Sequence, residues 1–197
     1  MRVNVLNLAN HSNFSSLQHA LLEIGVESRQ VSVPEDITEN EPLLLPGIGR
    51  FDEAMHFIDW KGLADPINAH RGKSAPLVGI CLGMQILFES GEEGSGSDPL
   101  SGLGLLQGSV KNLNHRNDGR LNIGWLEIHG EKWATPSAYF AHSYGVSYSD
   151  NQAAITYSKS GSQFVSVAEH DGIVGFQFHP EISGPSGLAL LSAALRF

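Results

Sequence analysis

Ala75-Pro76-Leu77-Val78-Gly79-Ile80-Cys81-Leu82-Gly83-Met84-Gln85 sets an apolar, strand-like run, Ala75–Ile80, directly against a turn bounded by glycines. Helical patterning follows at once, over Leu82–Phe88. A strand that feeds a helix through so short a turn begins a βα unit and presents the turn residue at the strand's carboxyl end. Gly79 and Gly83 allow the strained elbow that a nucleophile in this position needs. Cys81 is then expected at the positive end of the following helix, which favours the thiolate, the attacking species.

The surrounding sequence extends the same rhythm. Val3–Leu8 reads as a strand and Ser15–Ile24 as a helix stopped by Gly25. Glu27–Val33 is a second strand, and Leu43–Leu45 a third that Pro46-Gly47 cuts off. Helices are expected over Phe51–Trp60 and around Leu63–His70. The alternation predicts an α/β fold with a mostly parallel central sheet flanked by helices. The second half reads instead as short strands: Gly104–Asn112, Gly124–Ile128, Ala138–Ala141, Gly145–Tyr148, Ala153–Tyr157 and Phe164–Glu169. These suggest an antiparallel extension, followed by a strand over Ile173–Phe178 and a helix over Ser183–Leu195. Glu92–Ser101, rich in Glu, Gly and Ser, reads as a mobile loop. No repeat or linker divides residues 1–197, so a single domain is expected.

Two further strand ends carry chemistry. Phe176-Gln177-Phe178-His179-Pro180-Glu181 ends an apolar run in a histidine able to take the Cys81 proton and return it to a leaving amine. Glu181 would accept a hydrogen bond from the other imidazole nitrogen. Leu45-Pro46-Gly47-Ile48-Gly49 follows a third strand, and its glycines let main-chain N–H groups face a ligand, as an oxyanion hole requires. The amide of Leu82 would be the second donor. Taken singly, each feature has a plainer reading: a buried small cysteine, a strand-ending turn, an ordinary loop. Their common position decides between the readings, because ligands bind beyond the carboxyl ends of strands in an open parallel sheet. His19, His56, His70, His115, His129 and His170 read as structural or solvated. Gln85 lies one turn past Cys81 and can face the same pocket.

Composition narrows the alternatives. The 197 residues include 21 acidic and 12 basic ones, a net charge of −9, which disfavours nucleic acid and anionic lipid as partners. One cysteine cannot form an internal disulfide. The chain opens on strand-like residues without a leader pattern, and no apolar stretch approaches membrane-spanning length. A cytoplasmic setting is expected.

At Gly79–Gln85 and His179–Glu181 the chain resembles the class I glutamine amidotransferases, with their flavodoxin-like fold and Cys-His-Glu triad. The wider match is to the glutaminase subunits of imidazole glycerol phosphate synthase in histidine biosynthesis. It is carried by Leu45–Gly49, Leu87-Phe88-Glu89-Ser90, Gly102-Leu103-Gly104-Leu105, Gly124-Trp125, Tyr139-Phe140-Ala141-His142-Ser143-Tyr144, Gln177–Glu181 and Ser183-Gly184. The resemblance implies a triad of Cys81, His179 and Glu181, with oxyanion donors at Ile48 and Leu82. L-Glutamine would lie against Gly47, Gly49, Gln85, His142, Ser143 and Tyr144, with no metal and no cofactor. It also implies a heterodimer with a (β/α)₈-barrel cyclase, which receives the ammonia and makes imidazole glycerol phosphate and AICAR.

Three stretches depart from the family pattern. Leu8–Asn13 keeps only the final Asn of the usual first loop, Asn122–Leu126 stands where His-x-Gly-Trp-Asn is usual, and Ile182 replaces a lysine. In the family these positions face the cyclase. They motivate an alternative role, ammonia supply to another barrel synthase such as one amidating a surface sugar. A cysteine peptidase or small-amide hydrolase, and a non-catalytic binding protein, complete the set of readings to be tested.

Overall fold

The computed structural model describes residues 2–6, 8, 14–38, 40–113, 122–157, 161 and 163–195. Residues 9–13 of the divergent first loop and His115 lie outside this set. In chain order the elements are β1 (Arg2–Leu6), α1 (Phe14–Glu23), β2 (Glu27–Val31), β3 (Leu43–Gly47), α2 (Phe51–Lys61), α3 (Ala64–Asn68), β4 (Leu77–Cys81) and α4 (Leu82–Gln85). There follow β5 (Phe88–Gly91), β6 (Leu100–Ser101), β7 (Leu106–Asn112), β8 (Asn122–Gly130), β9 (Thr135–His142) and β10 (Tyr144–Gly145). The chain continues through β11 (Gln152–Tyr157), β12 (Gln163–His170), β13 (Ile173–Phe176) and α5 (Gly184–Ala194).

Among the described residues, nine strands form one sheet in the order β2-β1-β3-β4-β13-β12-β11-β8-β9. The pairings from β2 to β13 are parallel and those from β13 to β9 antiparallel, so the parallel half and its antiparallel extension share one sheet. Side-chain alternation builds a core on each face. Val3, Val5, Leu44, Val78, Ile80, Val174 and Phe176 pack on one side with α1, α5 and a cluster of Phe140, Phe164, Phe178 and Trp133. Leu6, Leu43, Leu45, Leu77 and Ile173 face the other side, against α2, α3 and Phe88. Residues of the central strands are therefore buried whichever way they point, which explains the unbroken apolar runs.

Several boundaries differ from the sequence reading. Strand β3 is not cut off at Pro46: it runs on to Gly47, in register with Ile80 and Cys81 of β4. β1 pairs with β3 only through Leu43 and Leu44, so Pro46 withholds no N–H from that ladder. The helix expected over Leu82–Phe88 stops at Gln85. Ile86, Leu87 and Phe88 are fully buried like the residues before them, so the segment has no polar face and turns into β5. The strand expected over Gly145–Tyr148 is the short β10. With β7 it belongs to a second, four-stranded sheet, β10-β7-β5-β6, and not to the extension. Glu92–Ser101 is bracketed by pairing of β5 with β6, Ser90 to Ser101 and Gly91 to Leu100. Among the described residues no helix is long and apolar enough to cross a membrane.

The glycines of the elbow serve a purpose other than a special φ. Gly79 and Gly83 are absent from the positive-φ positions, whereas Cys81 itself has φ 55° and ψ −109°. A non-glycine residue held there costs on the order of 1–3 kcal/mol. What the glycines supply is closeness. A Cβ on Gly83 would stand 1.6 Å from the Leu45 carbonyl oxygen, and one on Gly79 would stand 2.5 Å from the Gly83 carbonyl oxygen. Gly83→Ala is therefore expected to destabilise the fold by about 3 kcal/mol or more, since backbone on both sides must move. Gly62→Ala, at φ 66° with open space around it, should cost about 1–2 kcal/mol. Urea denaturation of both variants checks the contrast.

Candidate active site

Register brings the functional residues together. Gly47 pairs with Cys81 across adjacent parallel strands, so Ile48 and Leu82, each one residue further, leave the sheet side by side. A Cβ on Gly47 would lie 3.2 Å from the Leu82 Cβ, so the two turns are packed closely. Leu82 opens α4, and its N–H has no acceptor within the helix. Gly49 has φ 132°, a conformation that favours glycine, and holds the loop over the cavity.

On the other side of β4, Phe176 of β13 pairs with Ile80, so the chain beyond β13 passes Cys81. His179 is fixed through its backbone: its N–H donates to the Tyr139 carbonyl (2.9 Å), and its carbonyl accepts from the Ser183 hydroxyl (2.6 Å). Its ring Nδ1 lies 2.9 Å from Glu181 Oε1, with both side chains only 4% exposed, and Cys81 is the other group close enough to act on the ring. Burial alone would lower the His179 pKa, but the hydrogen bonds and charges of Cys81 and Glu181 outweigh it and raise it to about 10. The imidazolium therefore persists beside the sulfur at neutral pH. Because α4 has only four residues, its dipole is slight, and the positive charge nearest the sulfur is that of the His179 ring.

A cavity of about 200 Å³ opens above the sulfur, lined by Ile48, Gly49, Cys81, Leu82, Gln85, Glu93, Ile123, Ala141, His142, Ser143 and Tyr144. That is the space of about seven water molecules, the scale of one amino acid. His142 is buried, and desolvation lowers its pKa to about 4, so its ring is neutral. Nδ1 faces the Tyr144 carbonyl at 2.9 Å and must carry the proton, because a carbonyl only accepts. Among the described residues Nε2 finds no partner and is left as a buried acceptor.

Of the expected site residues, Ile48, Gly49, Cys81, Leu82, Gln85, His142, Ser143 and Tyr144 line this cavity; His179 stands beside the sulfur, Glu181 behind His179, and Gly47 at the adjoining strand end. Two residues went unnoticed in the sequence. Glu93, half-buried, brings a carboxylate to the cavity wall; desolvation raises its pKa, and its Oε2 accepts the Phe51 N–H (3.0 Å) at the start of α2. It comes from the Gly- and Ser-rich stretch after β5, where nothing in the local pattern marks it. Gln177 is buried with its amide 3.9 Å from Cys81 Sγ. Its signal was its place one residue beyond β13, level with the nucleophile. Of the other histidines, His70 is buried between the carbonyls of Pro66 and Glu41, a structural role.

This geometry suits opening a small carboxamide through a thioester, and the proteins that do so on a parallel sheet with such a triad are the glutamine amidotransferases. The family described as glutamine amidotransferase class-I matches residues 7–196, and the chain belongs to it. Curated relatives agree with that assignment. An imidazole glycerol phosphate synthase subunit HisH from Prochlorococcus marinus is 35% identical over 94% of this chain and 90% of its own length. One from Desulfitobacterium hafniense is 37% identical over 91% of this chain and 87% of its own. Among solved structures, a glutamine amidotransferase superposes with TM-score 0.73 at 19% identity, covering 96% of this chain and 98% of its own. PurLQS from Thermotoga maritima gives 0.64 at 21%, covering 98% and 97%. At these identities the solved structures bear on the fold alone.

The His179 interaction has a defined pH window. Its folded pKa lies above the ordinary 6.5, so the stabilisation is complete below about 6.5 and is lost as pH rises through about 10. Cys81→Ala removes one of the partners that raises it. NMR titration of the imidazole should show the His179 midpoint moving down in that variant, and an unmoved midpoint would contradict the contact.

Proposed function

We propose that this chain is the glutaminase subunit of an imidazole glycerol phosphate synthase, hydrolysing L-glutamine and passing ammonia to a barrel cyclase with which it forms a heterodimer. The observation that carries the glutaminase reading is Cys81 in the wall of an amino-acid-sized cavity, acting on the His179 ring that Glu181 holds at 2.9 Å. The pathway is supported by the relatives, several of them between 33% and 37% identical, which bear the name of that synthase subunit. Their agreement favours this role over ammonia supply to a different synthase. The small cavity speaks against a peptidase.

In this reading the Cys81 sulfur attacks the carboxamide carbon, forming a C–S bond and pushing the carbonyl electrons onto oxygen. The oxyanion lies between the N–H groups of Ile48 and Leu82. As the carbonyl re-forms, the C–N bond breaks, and His179 gives its proton to the departing nitrogen, releasing ammonia. Neutral His179 then takes a proton from water, which attacks the thioester; the C–S bond breaks and glutamate leaves. Glu181 holds Nδ1 of the ring and stabilises the imidazolium. Glu93 and the free Oε1 of Gln85 offer acceptors to the substrate's α-ammonium, while the Gly49 N–H and the Ser143 hydroxyl offer donors to its carboxylate. His142 and Tyr144 complete the wall.

The partner would dock around the cavity mouth. Trp125 and Ile123 on β8 are 54% and 45% exposed, Ile182 is 37% exposed, and Ile123 also lines the cavity. Tyr139 connects them: its ring meets Trp125 edge to face at 5.7 Å, and its N–H donates to Ser183, next to Ile182. Exposed apolar residues gathered at the exit for ammonia suit a dry seal.

Mixing the chain with a cyclase should give imidazole glycerol phosphate from glutamine and the histidine-pathway ribonucleotide; failure to form it would reject the pathway assignment. Cys81→Ala and His179→Ala should abolish glutamine hydrolysis, and Glu181→Gln should leave a small residue, while synthesis from added ammonia survives all three. Trp125→Ala with Ile182→Asp should weaken association at least about tenfold by calorimetry while leaving the melting temperature of the isolated chain within a few degrees.

A further inference from the structure

The polarity of a buried amide network can be read from one atom. The Tyr144 carbonyl can only accept, so the Gln85 group 2.8 Å away must be its NH₂. The same nitrogen lies 3.2 Å from the Gln177 side chain, which must therefore turn its oxygen to Gln85. That leaves the Gln177 NH₂ directed at Cys81 Sγ, 3.9 Å away, a separation suited to the larger radius of sulfur. Gln177 and Gln85 are both buried, so these bonds are shielded from bulk solvent even though Gln85 also lines the cavity. Gln177 is also placed by its main chain, whose N–H donates to Ser166 O at 3.0 Å.

We infer that Gln177 is a positioning donor to the nucleophile, its amide holding the Cys81 sulfur through an N–H···S hydrogen bond whose orientation is imposed by Tyr144 through Gln85. The inference rests on the proposed role of Cys81 as nucleophile. A donor on a sulfur favours the anion over the thiol and fixes the direction from which it attacks. Other groups facing the sulfur or its cavity are His179 and, behind it, Glu181 from the segment after β13, neutral His142 from β9, and Glu93 from the turn after β5. Gln177 differs from all of them in contributing a donor without a titratable charge, so its effect does not switch with pH. The link also ties the substrate-facing strand at Tyr144 to the nucleophile, since a shift of that carbonyl releases Gln85 and then Gln177.

The test uses the full chain and the pH dependence of Cys81 alkylation by iodoacetamide, which requires neither glutamine nor a partner. In Gln177→Met, similar in size but without a donor, the rate at pH 7 should fall about tenfold, the scale of one hydrogen bond to a charged group, and approach wild type at high pH. Gln85→Met leaves Gln177 in place but unoriented and should shift the profile in the same direction, with no further loss in the double variant. If Gln177→Met does not fold, Gln85→Met decides alone. Profiles that superimpose on wild type, or a change confined to melting temperature and KM for glutamine, would overturn the inference. Absence of glutamine hydrolysis in wild type with a normal alkylation profile would instead count against the proposed function.

Discussion

The contact on which the site depends is the approach of Gly83 to the carbonyl of Leu45. No side chain fits between them, so the first turn of α4 lies directly on β3. Strand register then does the rest: with Gly47 level with Cys81, the amides of Ile48 and Leu82 leave adjoining strands into one space. The proposed oxyanion donors would thus be backbone groups held by packing, which keeps their directions independent of side-chain rotation. The strain at Cys81 is sustained by the same packing, because relaxing its φ would pull α4 away from the sheet.

Electrostatics at the sulfur come from short-range partners. A four-residue helix has little dipole to offer, and the overall charge of −9 opposes an additional anion. Against this background His179 supplies a positive charge at close range, and its own desolvation is offset by Cys81 and Glu181. Burying three interacting groups together is costly unless each finds a partner. Here the Cys–His–Glu line meets most of that demand, and among the described residues the buried Glu181 Oε2 is left over without a partner.

Much of this could be read in the sequence, and the reasons are local. The parallel half announced itself through apolar runs ending in glycine-rich turns, since strands buried on both faces tolerate few polar residues. The placement of Cys81, His179 and the Pro46–Gly49 loop at neighbouring strand ends was legible because each follows such a run, and their proposed roles build on that placement. Where the sequence misled, tertiary packing overrode local pattern. Leu82–Phe88 has helix-compatible residues, yet Phe88 is drawn into a strand pair with Leu106. Pro46 looked like a strand end, yet β3 keeps its register with β4 through Pro46 and Gly47. Separation of β7 and β10 into a second sheet depends on long-range pairing that alternation does not encode. Glu93 reaches the cavity only because Phe51 and β5 position its turn, a contact 42 residues apart in sequence.

The exposed surface at Ile123, Trp125 and Ile182 carries a thermal consequence. An interface closed by dehydrating apolar groups, with no charge at position 182, gains its driving force mainly from released water. Such a force weakens on cooling and depends little on ionic strength. If the proposed cyclase closes on this surface, the joint would accordingly be loosest in the cold, and its formation would carry a negative heat-capacity change proportional to the apolar area covered.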